Sequence, residues 1–277
     1  MMARARALSG RIQAFVVRDF QLAMSYRIEF LLRILGVVLV TTTLFFMSQI
    51  FAGNLNTPYG QWRNPFVAWL LGLPFLNYFM VGFSSLANAI RAEQTQGTLE
   101  GVMMTPINLP TLIVSSSAWE FVQATFQSFL YLFCGWLLFD VHYQGSFVLA
   151  VAFLLLTTLV LASFGILSAS FAIVFKRGDP FAIVIGTSSA LFSGAFFPTE
   201  MLSKTFGRAF GVVAALIPTT YGIDGIRRVL IQGQTFDQTR QPFTALVLYL
   251  AVLLPCSLWV FSRAVRRAKR EGSLIQY

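Results

Sequence analysis

Six stretches of this chain carry no charged side chain: Ile34 to Gly53, Asn64 to Ile90, Phe121 to Phe139, Tyr143 to Phe175, Phe181 to Thr199, and Gln241 to Ser262. Each reaches roughly the 20 residues that a helix rising about 1.5 Å per residue needs to cross a hydrocarbon layer about 30 Å thick. Backbone amides in lipid must find partners within the chain, so only helices or a closed barrel can span it. Unbroken apolar runs lack the alternation of a barrel strand. The expected fold is therefore an all-α integral membrane protein with six transmembrane helices, over 30–53, 65–90, 111–139, 147–175, 180–198 and 242–263. Composition agrees: 56% of the 277 residues are hydrophobic and 11% are charged, whereas soluble domains carry about 25% charged residues.

The net charge of +9 does not point to nucleic acid, because the cations sit mainly at the ends of spans. With the N-terminus inside and six crossings, fourteen of the basic residues fall on inner segments and six on outer ones. That bias places both termini in the cytoplasm by the positive-inside rule. Cys134 and Cys256 each lie within an apolar run, where cysteine behaves as a small hydrophobe, and no disulfide or metal site is implied.

Ahead of the first span, Leu8, Ile12, Phe15, Val16, Leu22 and Tyr26 recur at helical spacing, and Arg4, Arg11 and Arg18 fall seven apart on another face. Residues 1–29 are thus expected to lie as an amphipathic interface helix, with arginines toward lipid headgroups. The first apolar run is too long for a signal-peptide core and is expected to stay as an anchor. Pro74 within the second span predicts tilt or a kink.

Two regions depart from the simple hairpin pattern. Residues 91–110 form a polar inner segment with Arg91, Glu93, Gly97, Thr98 and Glu100, closed by Pro106 and Pro110. Residues 199–232 contain an apolar piece, Ala209 to Ile217, too short to cross and ended by Pro218. After Tyr221, an apolar stripe of Ile226, Val229 and Leu230 is expected opposite Asp224, Arg227 and Arg228, with Asp224 and Arg228 paired four apart. Two short helices dipping into the outer leaflet, a re-entrant pair before the last span, follow from this pattern.

The segment Glu93-Gln94-Thr95-Gln96-Gly97-Thr98-Leu99-Glu100, continuing to Thr105-Pro106, resembles the loop between spans two and three of ABC type-2 (ABC-2) export permeases. That family shows an acidic residue, then Gly-Thr-Leu-Glu, then Thr-Pro or Ser-Pro. The N-terminal helix, the short helices before span six, and Ile217-Pro218-Thr219-Thr220-Tyr221 agree in order. The resemblance implies the transmembrane subunit of a bacterial ABC transporter in the cytoplasmic membrane. Such a subunit pairs with a second permease, identical or different, and with two ABC ATPase subunits that dock on a coupling helix. The residues carried over to that coupling role are Arg91, Glu93, Gly97, Thr98, Leu99, Glu100, Thr105 and Pro106. Pro198, Pro218, Tyr221, Asp224 and Arg228 are carried over to an outer gate.

ATP-driven transport needs a phosphate-cradling G-x-x-x-x-G-K-[ST] loop. None of the three lysines, Lys176, Lys204 and Lys269, follows a glycine. ATP and Mg are therefore expected on the partner, with no cofactor here and no catalysis by this chain. An intramembrane enzyme is disfavoured, since His142 is the sole histidine and Ser188 and Ser189 fall in a different span. An ion-coupled secondary transporter or channel would need ionisable groups within the spans, for which Glu120 is the one candidate. The phenylalanine-rich and methionine-rich spans fit a hydrophobic or amphipathic cargo such as a drug or lipid, carried between two subunits along spans one, two and five. A glycan exporter of the same architecture is the alternative.

Overall fold

The computed structural model describes residues 17, 20, 21, 25, 27–51, 65–95, 109–175, 186–189, 191–195 and 207–270. The elements there are all helices: α1 (Arg27–Phe51), α2 (Pro65–Thr95), α3 (Leu109–Phe139), α4 (Phe147–Phe175), α5 (Arg208–Ala215), α6 (Pro218–Leu230) and α7 (Arg240–Arg270). Among the described residues, five helices, α1 to α4 and α7, are long and apolar enough to cross a membrane. The sixth predicted span, 180–198, falls largely outside the described residues, but residues 186–189 and 191–192 within it are helical. Arg4, Arg11 and Arg18 of the predicted interface helix also lie outside them. Residues 17, 20, 21 and 25 are helical, and the ring of Phe20 meets Trp119 with centroids 5.9 Å apart.

Local chemistry explains the helix ends. α2 opens with Pro65, a position where the missing N–H costs nothing. It then runs unbroken through Pro74 for 31 residues, about 46 Å at 1.5 Å per residue, well beyond a hydrocarbon layer of about 30 Å. α7 likewise continues through Pro255. α3 stops at Asp140, which takes a left-handed conformation with φ 53, one of few non-glycine residues to tolerate it. The Val141 amide then turns back to the carbonyl of Gly135 at 3.1 Å.

In lipid the outside of a helix is as apolar as its inside, so packing rests on close contact and interhelical hydrogen bonds. α2 is the centre of the bundle: 67% of its most apolar stretch is buried, against 11% for α1. It packs on α3, α4, α6 and α1, while the largest interface joins α4 to α7. Asn77 of α2 donates to Gln127 of α3 at 2.9 Å, and the Tyr78 hydroxyl donates to Thr125. Each such bond contributes about 0.6–2 kcal/mol in a membrane interior. Phe66 of α2 meets Phe139 and Phe45 edge to face, which brings the end of α1, the start of α2 and the end of α3 to one end of the bundle. That end also carries the 140–146 turn. The Arg91 end of α2 lies opposite.

Candidate functional site

The two short helices sit at the turn end of the bundle, and the structure shows how the carbonyls at their C-terminal ends are satisfied. α5 has 8 residues and α6 has 13, so neither is long enough to cross. Pro218 is buried at the first position of α6, after Ile217 in an extended conformation. The exposed carbonyls ending α5 need partners, and neighbouring side chains supply them. Thr220 donates to the carbonyl of Ala214 at 2.8 Å. The hydroxyls of Tyr221 and of Tyr249 in α7 both donate to Ala215, at 2.9 and 3.3 Å. Two of the predicted gate residues, Pro218 and Tyr221, thus form the joint between α5 and α6.

α6 packs into a slot between α4, α7 and α2. Gly225 permits the approach to α4: a Cβ there would stand 2.3 Å from the ring of Phe153, itself fully buried. Ile223, Ile226, Val229 and Leu230 fill the core with Leu71, Phe75, Phe153 and Leu246. At its far end the Leu230 carbonyl accepts the amide of Gln144 at 2.9 Å, which ties the helix to the 140–146 turn.

Asp224 and Arg228 form the expected pair, 2.8 Å apart and partly exposed. Arg227 does not join them on that face. It is buried, 5% exposed, and its guanidinium donates to three backbone carbonyls: Gly194 at 2.6 Å, Ala68 of α2 at 2.7 Å and Ala195 at 3.1 Å. The expected grouping of Arg227 with the polar face is therefore corrected. The geometric reason is that Arg227 follows Ile223 by four residues and precedes Leu230 by three, so all three share one face of the helix. That spacing was legible in the sequence; the acceptors, far away along the chain, were not.

Burial draws the Arg227 guanidinium down to about 9, and the nearby Asp224 carboxylate opposes that shift. The group stays protonated at neutral pH even so. A buried cation is costly unless it is hydrogen-bonded; here both terminal nitrogens of the guanidinium are engaged, and the planar fork of arginine suits several carbonyls at once. Gly194 and Ala195 follow the helical residues 186–189 and 191–192, where a helix presents unpaired carbonyls and the negative end of its dipole. Arg227 thus holds together α6, the start of α2 and residues 194–195. By contrast, Asp224→Asn removes only an exposed pair worth about 0.5 kcal/mol. It is expected to leave thermal unfolding in detergent within about 2 °C of the native protein.

The predicted coupling residues divide differently. Arg91 and Glu93 stand on the last turns of α2, continuous with its buried part. Gly97, Thr98, Leu99, Glu100, Thr105, Pro106 and the gate residue Pro198 lie outside the described residues. Glu120 is half-buried on α3, and His142 lies exposed on the turn with its ring against the Asp140 carbonyl.

Five long apolar helices among the described residues, with a pair of short helices packed among them, define a multi-pass helical membrane protein. The sequence matches the ABC-2 type transporter family over residues 11–231, most of the chain, and the protein belongs to that family. It is an ABC transporter permease, the membrane subunit through which transport occurs. No curated protein matches it.

Proposed function

We propose that this permease works in an ATP-driven exporter, moving a hydrophobic or amphipathic molecule such as a drug, a lipid or a lipid-linked compound. In this reading it lies in a bacterial cytoplasmic membrane with both termini inside, pairs with a second permease subunit, and takes its power from two ATPase subunits that bind ATP and Mg. The observation that carries it is the continuity of α2. One helix runs from Ala68, gripped by Arg227, through the centre of the bundle to Arg91 and Glu93 at the opposite end. An unbroken helix transmits displacement along its axis because each turn is hydrogen-bonded to the next.

Movement of docked ATPase subunits would push on residues 91–110, and α2 would carry that push to the slot holding α6. Residues 199–232 would then act as the outer gate, re-entrant from the outer face, and the path would run between two subunits along spans one, two and five. α1 suits a role at such a boundary, since Ile28, Leu31, Leu35, Leu39, Phe46 and Ile50 all remain exposed in the single chain.

The test is co-purification with the ATP-binding-cassette subunit, reconstitution into proteoliposomes, and parallel measurement of ATP hydrolysis and export of a fluorescent phospholipid. Glu100→Lys places a repelling charge where a partner's basic groups are expected, and like charges across an interface cost several kcal/mol. Transport per ATP hydrolysed is expected to fall at least about tenfold, the equivalent of about 1.4 kcal/mol, while membrane insertion is unchanged. Full transport by Glu100→Lys would contradict the coupling role. Transport driven by an ion gradient without any ATPase subunit would establish the secondary-transporter reading instead.

A further inference from the structure

Four aromatic rings stand in a row on the half of α3 nearest the turn: Phe126, Phe129, Phe133 and Trp136. Spacings of three and four residues place them on one face, and the helix rises about 15 Å from the first to the last. That is about half of a hydrocarbon core of roughly 30 Å, the depth of one leaflet. Phe147, at the start of α4, forms the facing wall of a groove of about 660 Å³, within the range of sites that enclose small ligands. The rings are each about half exposed, with Phe126 also against Phe30 of α1 and Phe133 against Trp136.

The rim is built rather than loose. The Tyr143 hydroxyl donates to the Leu132 carbonyl at 3.0 Å, and the next amide, of Gln144, donates to Leu230 at 2.9 Å. A preformed wall spares a ligand the cost of ordering it. Behind Phe129, Leu132 and Phe147 lies a smaller apolar space of about 40 Å³ that reaches Ile226 and Leu230 of α6. Whatever occupies the groove therefore lies one layer of side chains from the helix that carries Arg227.

We infer that this groove is a specific site for one acyl chain of a bilayer glycerophospholipid, whose headgroup rests level with the 140–146 turn. Its axis follows a spanning helix, as a lipid chain follows the bilayer normal. Its depth is that of a single leaflet. Its walls carry no charge, and its one ionisable imidazole, His142, stands at the mouth. This order of an apolar body under a polar end matches an amphiphile seated in one leaflet. The face of α7 bearing Leu248 and Val252, each 66% exposed, provides the comparison: an ordinary lipid-facing surface on the same molecule.

The full-length protein in maltoside micelles is titrated with a phosphatidylcholine carrying a photoreactive tail, and crosslinked peptides are mapped by mass spectrometry. Labelling of residues 126–147 is expected to saturate near one lipid per chain and to be displaced by unlabelled phosphatidylcholine, whereas labelling of residues 247–259 rises without saturating. Phe129→Ala combined with Phe133→Ala is expected to weaken labelling of the groove about tenfold, equivalent to about 1.4 kcal/mol. The displacement measurement needs no variant and stands if that protein fails to fold. Three results would overturn the inference. One is equal, unsaturable labelling of both faces. Another is a disulfide between two chains carrying Trp136→Cys, which would make the groove a subunit interface. The third is label that disappears on ATP turnover in the assembled complex, which would mark cargo.

Discussion

Arg227→Met is expected to lower the thermal midpoint of the detergent-solubilised protein by about 10 °C, from a loss of about 3 kcal/mol in a chain of this size. A hydrogen bond from a charged donor contributes about 1.5–3 kcal/mol, and the full loss from three such bonds is not additive. Part of it is returned because burying the charge is itself costly. What remains is the penalty for leaving the carbonyls of Gly194 and Ala195 without donors among apolar side chains. Methionine has similar length and no donor, so the space stays filled and the measurement reports the hydrogen bonds net of the cost of the buried charge. Arg227→Lys is the informative companion: it keeps the charge but presents a point rather than a fork. It is expected to recover roughly half of the shift, since an ammonium on a single stem does not reach three carbonyls on two separate segments. An unchanged midpoint in Arg227→Met would show that this contact contributes nothing to stability. In transport, the same variant is expected to loosen the slot around α6 and raise ATP hydrolysis relative to cargo moved.

The second large effect is at Gly145. A Cβ at this position would lie 1.7 Å from the carbonyl oxygen of Val229 and 2.6 Å from its carbon. Both are backbone atoms of α6, which Phe153 and Leu246 confine from behind. Gly145→Ala must therefore push the 140–146 turn off the helix. That movement breaks the bond from the Gln144 amide to Leu230 and leaves a carbonyl at the end of α6 unpaired. Overpacking of this kind costs about 1–3 kcal/mol, and the orphaned carbonyl adds about 1–3 kcal/mol more. The expected outcome is a drop in thermal midpoint comparable to that of Arg227→Met. Gly36→Ala is the control, because nothing lies within 4 Å of a Cβ at that position of α1. Its stability is expected to stay within about 1 kcal/mol of the native value, the difference in helix propensity between the two residues. Equal behaviour of the two alanine variants would show that the turn is free to move.

The two perturbations both act near the C-terminal end of α6, and they explain why this helix governs the turn end of the bundle. Its first turn is held by Pro218 and the tyrosines that cap α5, its middle by the contact at Gly225, and its last turn by Arg227 and Gln144. A 13-residue helix that does not cross the membrane has few intrinsic reasons to persist, since short helices are marginal without tertiary support. Here the end of α5 and the end of α6 each have specific donors from neighbouring segments.

Much of this is legible in the amino-acid sequence. The apolar runs correspond to helices over Pro65–Thr95, Leu109–Phe139 and Phe147–Phe175 because insertion into lipid depends on a segment's own composition. The break at Pro218 was readable because the missing N–H acts locally, as was the Asp224–Arg228 pair, because four residues make one turn. The continuation of α2 to Thr95, past the polar Arg91 and Glu93, was less so: polarity marks where lipid ends, which is not where a helix must end.

Other features depended on packing. α4 is apolar on every side, so no periodicity shows which residues meet α2, α6 or α7. In lipid a buried face and an exposed face have the same chemistry, and the hydrophobic contrast that orients helices in water is absent. The burial of Arg227 needed acceptors from α2 and from residues 194–195, brought together only by the fold. The aromatic groove likewise required the ring stripe of α3 to face Phe147 across the turn. The amino-acid sequence decided by itself which segments leave water, because that transfer is a property of each segment alone. The tertiary structure decided which polar groups meet inside, because a hydrogen bond depends on where two distant parts of the chain are placed.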